Sequence, residues 1–333
     1  MKIAVLSDGG WGTALALLLL GNRHEVCLWG PFPDYIAEMA RTRRNERFLK
    51  GVELPAALHL TADMAAAVRA AGIVVMASPT QYARQTIGRL PAAGFDARRQ
   101  LLVNVAKGIE VGTLKRLSEI AAELLGEVWY VGLPGPSHAE EVARGFPTVV
   151  TAASAWAECA RQVQAVFMNE RFRVYTSDDT VGIELGGALK NVYALAGGIC
   201  DGMKLGDNAK AALLTRGIAE MARLGQALGG HPETFAGLSG IGDLIVTCYS
   251  GHSRNRHVGE ELGRGLALDE ITQAMGMVVA EGVKTTLSAH ALAHQRGVYV
   301  PIVDEIHAVL YQGKPPRQAL RDLMTRDPRA ERD

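Results

Sequence analysis

An excess of charge of either sign is what this chain most plainly lacks. Thirty-five basic residues stand against thirty-five acidic ones in 333 residues. No overall field draws nucleic acid or an anionic membrane surface, so recognition of any anion has to be local. Cysteine is scarce as well. Cys27, Cys159, Cys200 and Cys248 are scattered without a C-x-x-C pair, which argues against a disulfide framework or a zinc site and for reduced thiols in a reducing compartment. Long apolar runs are missing too. Ala14 to Leu20, the longest early one, stops at Gly21, far short of the roughly 20 residues a membrane helix needs. A strand and the acidic, glycine-rich Ser7-Asp8-Gly9-Gly10 precede that run, where a secretory leader would carry positive charge. These absences predict a cytoplasmic protein with a small-molecule ligand, no nucleic-acid partner and no membrane span.

What is present suffices for two cores: 333 residues, 48% of them hydrophobic, against a prior of about 150 residues per domain. Up to about Val150 short apolar runs (Ile3 to Leu6, Glu25 to Trp29, Ile73 to Ala77, Leu101 to Val105, Trp129 to Gly132, Thr148 to Ala152) alternate with amphipathic stretches. That alternation predicts a parallel sheet covered on both faces. After about Ser177 it disappears. Thr180 to Met203, Ala209 to Leu228 and Leu268 to Arg296 carry apolar residues at helical spacing. The expected fold is therefore α/β, a Rossmann-like doubly wound sheet over residues 1–180 followed by an all-helical domain over 181–333, with ligand in the cleft between them.

The first strand runs into "SDGGWG", Ser7 to Gly12, and then a helix. A dinucleotide fingerprint there reads G-x-G-x-x-G: a tight turn, close backbone approach to the pyrophosphate, and close helix packing. Gly9 and Gly12 fill the second and third places and Ser7 holds the first. Gly9 and Gly10 leave backbone uncovered, the helix from Trp11 aims its N–H groups at a phosphate, and a serine hydroxyl can brace a turn. An ordinary strand-to-helix loop is the competing reading. At the end of the second strand, where an acid would bind a ribose 2′-hydroxyl or an arginine a 2′-phosphate, stands Gly30-Pro31-Phe32-Pro33. With no cation at the strand end, the reading leans to NAD(H) over NADP(H).

Further polar clusters carry the chemistry. Lys107 in "NVAKGIE" follows a strand; taken alone it is either a solvated loop lysine or a group standing where substrates bind in open α/β sheets. "GLPGPSHAEEVARG" offers Ser137, which serves equally as a helix cap. Asp243, Ser253, Arg254 and Asn255 gather in "GIGDLIVTCYSGHSRNRHVG" among glycines and small residues, a mixture suited to gripping a phosphate through the arginine fork, with a plain loop carrying a surface arginine as the alternative. Lys190 and Asn191 interrupt an apolar helix in "ELGGALKNVYALAGG"; such a lysine either snorkels to the surface or is held in a cleft where its proton can be used. His290 and His294 have the i, i+4 spacing of a metal pair but lack the neighbouring glutamate of H-E-x-x-H and any evident third ligand, so no metal is expected.

Together with "GWGTALA", Asn45-Glu46-Arg47-Phe48 onward and "AEGVKT", these motifs resemble the bacterial, NAD(P)-dependent glycerol-3-phosphate dehydrogenase family from the first strand to about residue 325. The resemblance implies Lys190 as catalytic acid/base. It implies a substrate site of Lys107, Gly135, Ser137, Lys190, Asp243, Ser253, Arg254 and Asn255. Cofactor would contact Gly9, Gly10, Trp11, Gly12, Pro31, Lys107, Ala139, Arg254, Val279 and Glu281. A homodimer, and a product destined for phospholipid backbones, are further implications. Two departures fall in the turn, Ser7 and Gly10, and a third at Pro31, where the family carries an arginine. A dehydrogenase for another small hydroxy acid or sugar phosphate, and a non-catalytic nucleotide sensor, are the alternatives.

Overall fold

In a computed structural model describing residues 1–276 and 279–331, the first half builds one eight-stranded sheet. Its strands are β1 (Lys2–Leu6), β2 (Glu25–Trp29), β5 (His59–Thr61), β6 (Ile73–Met76), β7 (Leu101–Asn104), β8 (Tyr130–Gly132), β9 (Thr148–Ala153) and β10 (Phe172–Ser177), in the order β10-β9-β8-β7-β6-β1-β2-β5. A small hairpin, β3 (Arg44–Asn45) with β4 (Leu49–Glu53), stands apart from it. Helices α1 (Gly10–Gly21), α2 (Pro33–Thr42), α3 (Met64–Val68), α4 (Thr80–Gly88), α5 (Leu117–Leu125), α6 (Ala139–Ala143) and α7 (Ala157–Phe167) alternate with the strands. Two apolar clusters, one from each side of the sheet, use alternate residues of β1, such as Ile3 and Val5 in one and Ala4 and Leu6 in the other. This is why the central strands read as unbroken apolar runs: β6 and β7 are buried at every position.

The expected parallel sheet needs one correction. β9 pairs antiparallel with β8, and β10 runs parallel to β9, so these two oppose the other six strands. The chain leaving β8 turns at once through Pro134 and Gly135, makes only the five-residue α6, and re-enters the sheet from the end it has just left. β10 escapes a reading by apolar runs because its side chains alternate between buried and exposed, with Arg173 and Tyr175 outward.

The second half is helical: α8 (Thr180–Gly202), α9 (Asp207–Ala227), α10 (Asp243–Tyr249), α11 (Arg254–Arg264), α12 (Leu268–Met275), α13 (Glu281–Gln295), α14 (Pro301–Tyr311) and α15 (Pro316–Met324). The stretch Leu268 to Arg296 is thus two helices, not one; α12 is ended by Gly276 at φ +61°. α8 is the axle, buried at every residue from Gly182 to Ile199. α11 crosses it so closely that a Cβ on Gly198 would lie 2.0 Å from Arg256 O, and one on Gly259 2.0 Å from Leu195 O. Glycines on both helices bring the start of α11 alongside the middle of α8, where Lys190 and Asn191 sit.

Candidate active site

β1 and β6 are neighbours from which the chain winds outward in opposite directions, and ligands of open α/β sheets bind beyond the carboxyl ends of such a pair. Ser7 leaves β1 there with φ +130°, a backbone state that side chains rarely adopt. Its N–H donates to Trp29 O at 3.0 Å, and its Oγ accepts from Gly9 N–H at 3.2 Å. The hydroxyl thus braces the turn from inside. A Cβ at Gly12 would come 2.1 Å from Ser7 O, and one at Gly10 2.5 Å from Phe48 O and 3.7 Å from Ala139 Cβ, whereas Gly9 meets only Ser7 Oγ, at 3.4 Å. The open side of the turn is Gly9, which caps α1 without any side-chain bond. First-turn amides there are available to an anion, and Trp11 Nε1 is buried beside them with no partner among the described residues. These features fit a pyrophosphate.

The sequence sets neither an acid nor an arginine at the end of β2 itself, although Asp34 follows and Arg41, Arg43, Arg44 and Arg47 are not far off; the fold brings Asp8 and Arg47 near it. Asp8, the residue between Ser7 and Gly9, is buried and lies against Gly30: a Cβ on Gly30 would stand 2.9 Å from its Oδ2, an oxygen with no partner among the described residues. Burial raises the Asp8 pKa, opposed by its own backbone N–H and by the charge of Arg47. Arg47 in turn stacks on the Tyr35 ring at 4.0 Å. An acid and a cation therefore both stand near the end of β2, while Pro31 itself is exposed. The signal was present in the turn, since its variable position is an aspartate. The Asn45 motif is explained here too: Asn45 Nδ2 donates to Asp8 O at 2.7 Å and Thr13 Oγ1 at 2.8 Å, tying the hairpin under the turn.

Across the cleft, Asp243 begins α10 with its side chain 1% exposed and holds two ammonium groups at once. Lys107 Nζ donates to its Oδ2 at 2.7 Å, and Lys190 Nζ lies 2.8 Å from its Oδ1. Lys190 also donates to Thr247 Oγ1 at 2.7 Å, and that hydroxyl donates to Asp243 O at 2.6 Å. Lys107 donates further to Gly135 O at 2.7 Å and reaches Ser137 Oγ at 3.3 Å. Burial pulls the Lys107 pKa down to about 8; Asp243 opposes this and the charge of Lys190 adds to it. Asp243 is held below the usual carboxylate range, because the two lysine charges and their hydrogen bonds outweigh its burial. Lys190 is thus in the cleft and not snorkelling, with a side chain only 7% exposed.

Sequence reasoning passed over His138, the cap residue of α6. Burial, then the charges of Lys190 and Lys107, lower its pKa to about 4, so it faces the lysine pair as a neutral ring, with no partner for Nε2 among the described residues. The only signal was its place beside Ser137. Asn255 enters through a relay: Asn191 Nδ2 donates to Lys107 O at 3.0 Å, Asn255 Nδ2 to Asn191 Oδ1 at 2.8 Å, and Gly282 N to Asn255 Oδ1 at 2.9 Å. Ser253 is buried and caps α11 by accepting from Arg256 N, with Arg254 exposed beside it. Glu281 Oε1 accepts from Thr80 N at 2.8 Å, joining the start of α13 to the loop after β6. Val279, half-buried, stands just before the cap residue of that helix, Ala280.

A glycine turn after β1 whose open amides fit a pyrophosphate, together with two buried lysines bridged by one carboxylate, defines the class as a dinucleotide-dependent oxidoreductase. Comparison with known proteins narrows the class. Residues 2–160 match the family model described as the N-terminus of NAD-dependent glycerol-3-phosphate dehydrogenase, and residues 179–321 match the one for its C-terminus; the chain belongs to this family. Glycerol-3-phosphate dehydrogenase (NAD(P)+) of Geobacillus kaustophilus is 52% identical over 100% of this chain and 96% of that protein. The protein of the same description from Prosthecochloris aestuarii is 49% identical over 99% of this chain and all of its own. The crystal structure of glycerol-3-phosphate dehydrogenase from Coxiella burnetii superposes with a TM-score of 0.94 at 38% identity, covering 98% of this chain and 99% of that one.

Proposed function

We propose that the Lys107–Asp243–Lys190 bridge is the catalytic centre at which this enzyme interconverts dihydroxyacetone phosphate and sn-glycerol 3-phosphate with NAD(H) or NADP(H). The observation that carries this reading is one buried carboxylate holding two ammonium groups opposite the phosphate turn. The nicotinamide, when bound, supplies or takes the hydride at the carbon under reaction. In the reducing direction Lys190 gives a proton from Nζ to the ketone oxygen as that oxygen gains charge, and Lys107 stabilises the same charge. Thr247 and Asp243 fix the direction of the Lys190 ammonium. Arg254, with Ser253 and Asn255, grips the substrate phosphate, so that binding energy from the non-reacting end orients the carbonyl. Gly135 and Ser137 complete the substrate wall. Gly9 to Gly12, Ala139, Pro31, Val279 and Glu281 belong to the cofactor side, with Lys107 and Arg254 shared between the two.

In this reading residues 1–180 bind the dinucleotide and 181–333 carry the substrate and the acid/base. The enzyme works as a cytoplasmic homodimer supplying glycerophospholipid synthesis; among the described residues no helix is long and apolar enough to cross a membrane. Lys190→Ala tests the assignment. NADH oxidation in the presence of dihydroxyacetone phosphate should fall at least a hundredfold, a range that general acid catalysis commonly supplies, while NADH titrated against tryptophan fluorescence binds as in the parent. A variant that retains most of its turnover sinks the assignment.

A further inference from the structure

Helix α13 presents His290 and His294 one turn apart, and the missing third ligand comes from α14. Asp304 Oδ1 stands 3.1 Å from His294 Nε2 and 3.7 Å from His290 Nε2, and all three ligand atoms lie within 4.8 Å of one another. Donors held at about 2.0–2.1 Å by a tetrahedral zinc ion stand about 3.4 Å apart, so the two measured edges bracket the edge of that tetrahedron. The side chains are 28%, 60% and 37% exposed for His290, His294 and Asp304, open enough for an ion to enter from solvent.

A hydrogen bond from His294 to Asp304 would account for that pair alone, but it leaves the crowding of imidazoles unexplained. The His290 ring is 4.3 Å from that of His294, and His307 stacks on its other side at 3.9 Å and 12° between planes. Imidazole nitrogens are the commonest side-chain ligands of such metals. The stacked His307, backed by Tyr311, holds the plane of His290, as supporting groups do around metal-binding histidines.

We propose that His290, His294 and Asp304 form a binding site for a divalent cation of the zinc type, with water completing the set, that clamps α13 to α14. The site stands apart from the catalytic cleft: His290 is nine residues along α13 from Glu281, roughly 14 Å at the helical rise.

The test uses the full chain without a histidine tag. Zn²⁺ alone is titrated by equilibrium dialysis, and Co²⁺ by its visible absorption, against the parent, His294→Gln and Asp304→Asn. One equivalent of Zn²⁺ should bind the parent, with a tetrahedral Co²⁺ spectrum and a raised Tm. Each variant should lose at least about tenfold in affinity together with the Tm increment, and keep NADH-dependent turnover in the absence of metal. Absence of stoichiometric Zn²⁺ binding to the parent overturns the proposal, as does equal binding by both variants.

Discussion

Replacing Asp243 by asparagine keeps the shape of the catalytic bridge and removes only its negative charge. The carboxylate oxygens stand 2.7 and 2.8 Å from the two lysine nitrogens, where a pair of unit charges at an effective dielectric near 20 is worth about 6 kcal/mol. Hydration at the partly open Lys107 and the remaining amide oxygen reduce that figure. An opposite charge at contact still moves a pKa by about one to three. Lys107, near 8 with Asp243 present, should then fall to about 6 or below. Two results follow. In the reducing direction kcat/KM declines as pH rises and the ammonium is lost, so the basic limb moves from about 8 to about 6. Stability also suffers, because a buried charge left unpaired costs about 3–5 kcal/mol. The sign of its pH dependence can be worked out. An unfolded lysine titrates near 10.5, so the unfolded state binds more protons between the folded pKa and 10.5, and stability rises with pH across that window. In the variant the window opens about two pH units lower. Its deficit is therefore greatest below pH 6 and shrinks by about 3 kcal/mol by pH 8.5. Urea denaturation at pH 5.5 and 8.5, with pH–rate profiles of NADH oxidation, measures both. A deficit equal at the two pH values, or a basic limb that stays near 8, refutes the coupling.

The Ser7 turn and the buried Glu220 give two more expectations. Ser7→Ala keeps the unfavourable φ and loses the brace to Gly9, and should cost about 1 kcal/mol, whereas Ser7→Gly relieves the backbone and should stay within about 1 kcal/mol of the parent; equal melting of the two variants removes the brace from the account. Glu220 is pushed up by burial from 4.5 to about 7, against bonds from the Ile302 and Val303 amides, so its contribution is full below pH 4.5 and is lost, by about 3 kcal/mol, as pH rises through 7. Glu220→Gln should flatten that part of the pH–stability curve between pH 5 and 8, and an unchanged curve contradicts it.

Much of this was legible in the chain. Apolar runs such as Ile73 to Ala77 mark central strands because both of their faces are covered, and the run around Lys190 marks a helix, whose lysine the sequence left open between the surface and a cleft. What escaped depended on contacts distant in sequence. Nothing local says that β9 must run antiparallel; that follows from the chain re-entering the sheet at the end it left. Asp8 was visible as a residue, but its place against Gly30 needs β1 and β2 side by side. Asp304 becomes a neighbour of His290 only once α14 packs on α13. Two aligned ammonium groups could be suspected from the motifs, whereas the single carboxylate bridging them is a property of the folded cleft.

That bridge also leaves an account of charge unsettled. Two cations and one anion sum to a net charge of one, held out of water between the two halves of the molecule. The surplus suits an anionic guest, and it is the proton that Lys107 surrenders near pH 8. Capture of the substrate and protonation of its oxygen thus draw on the same store of charge: an environment alkaline enough to empty the cluster of its extra proton would weaken the hold on the ligand at the same moment as it disables the chemistry.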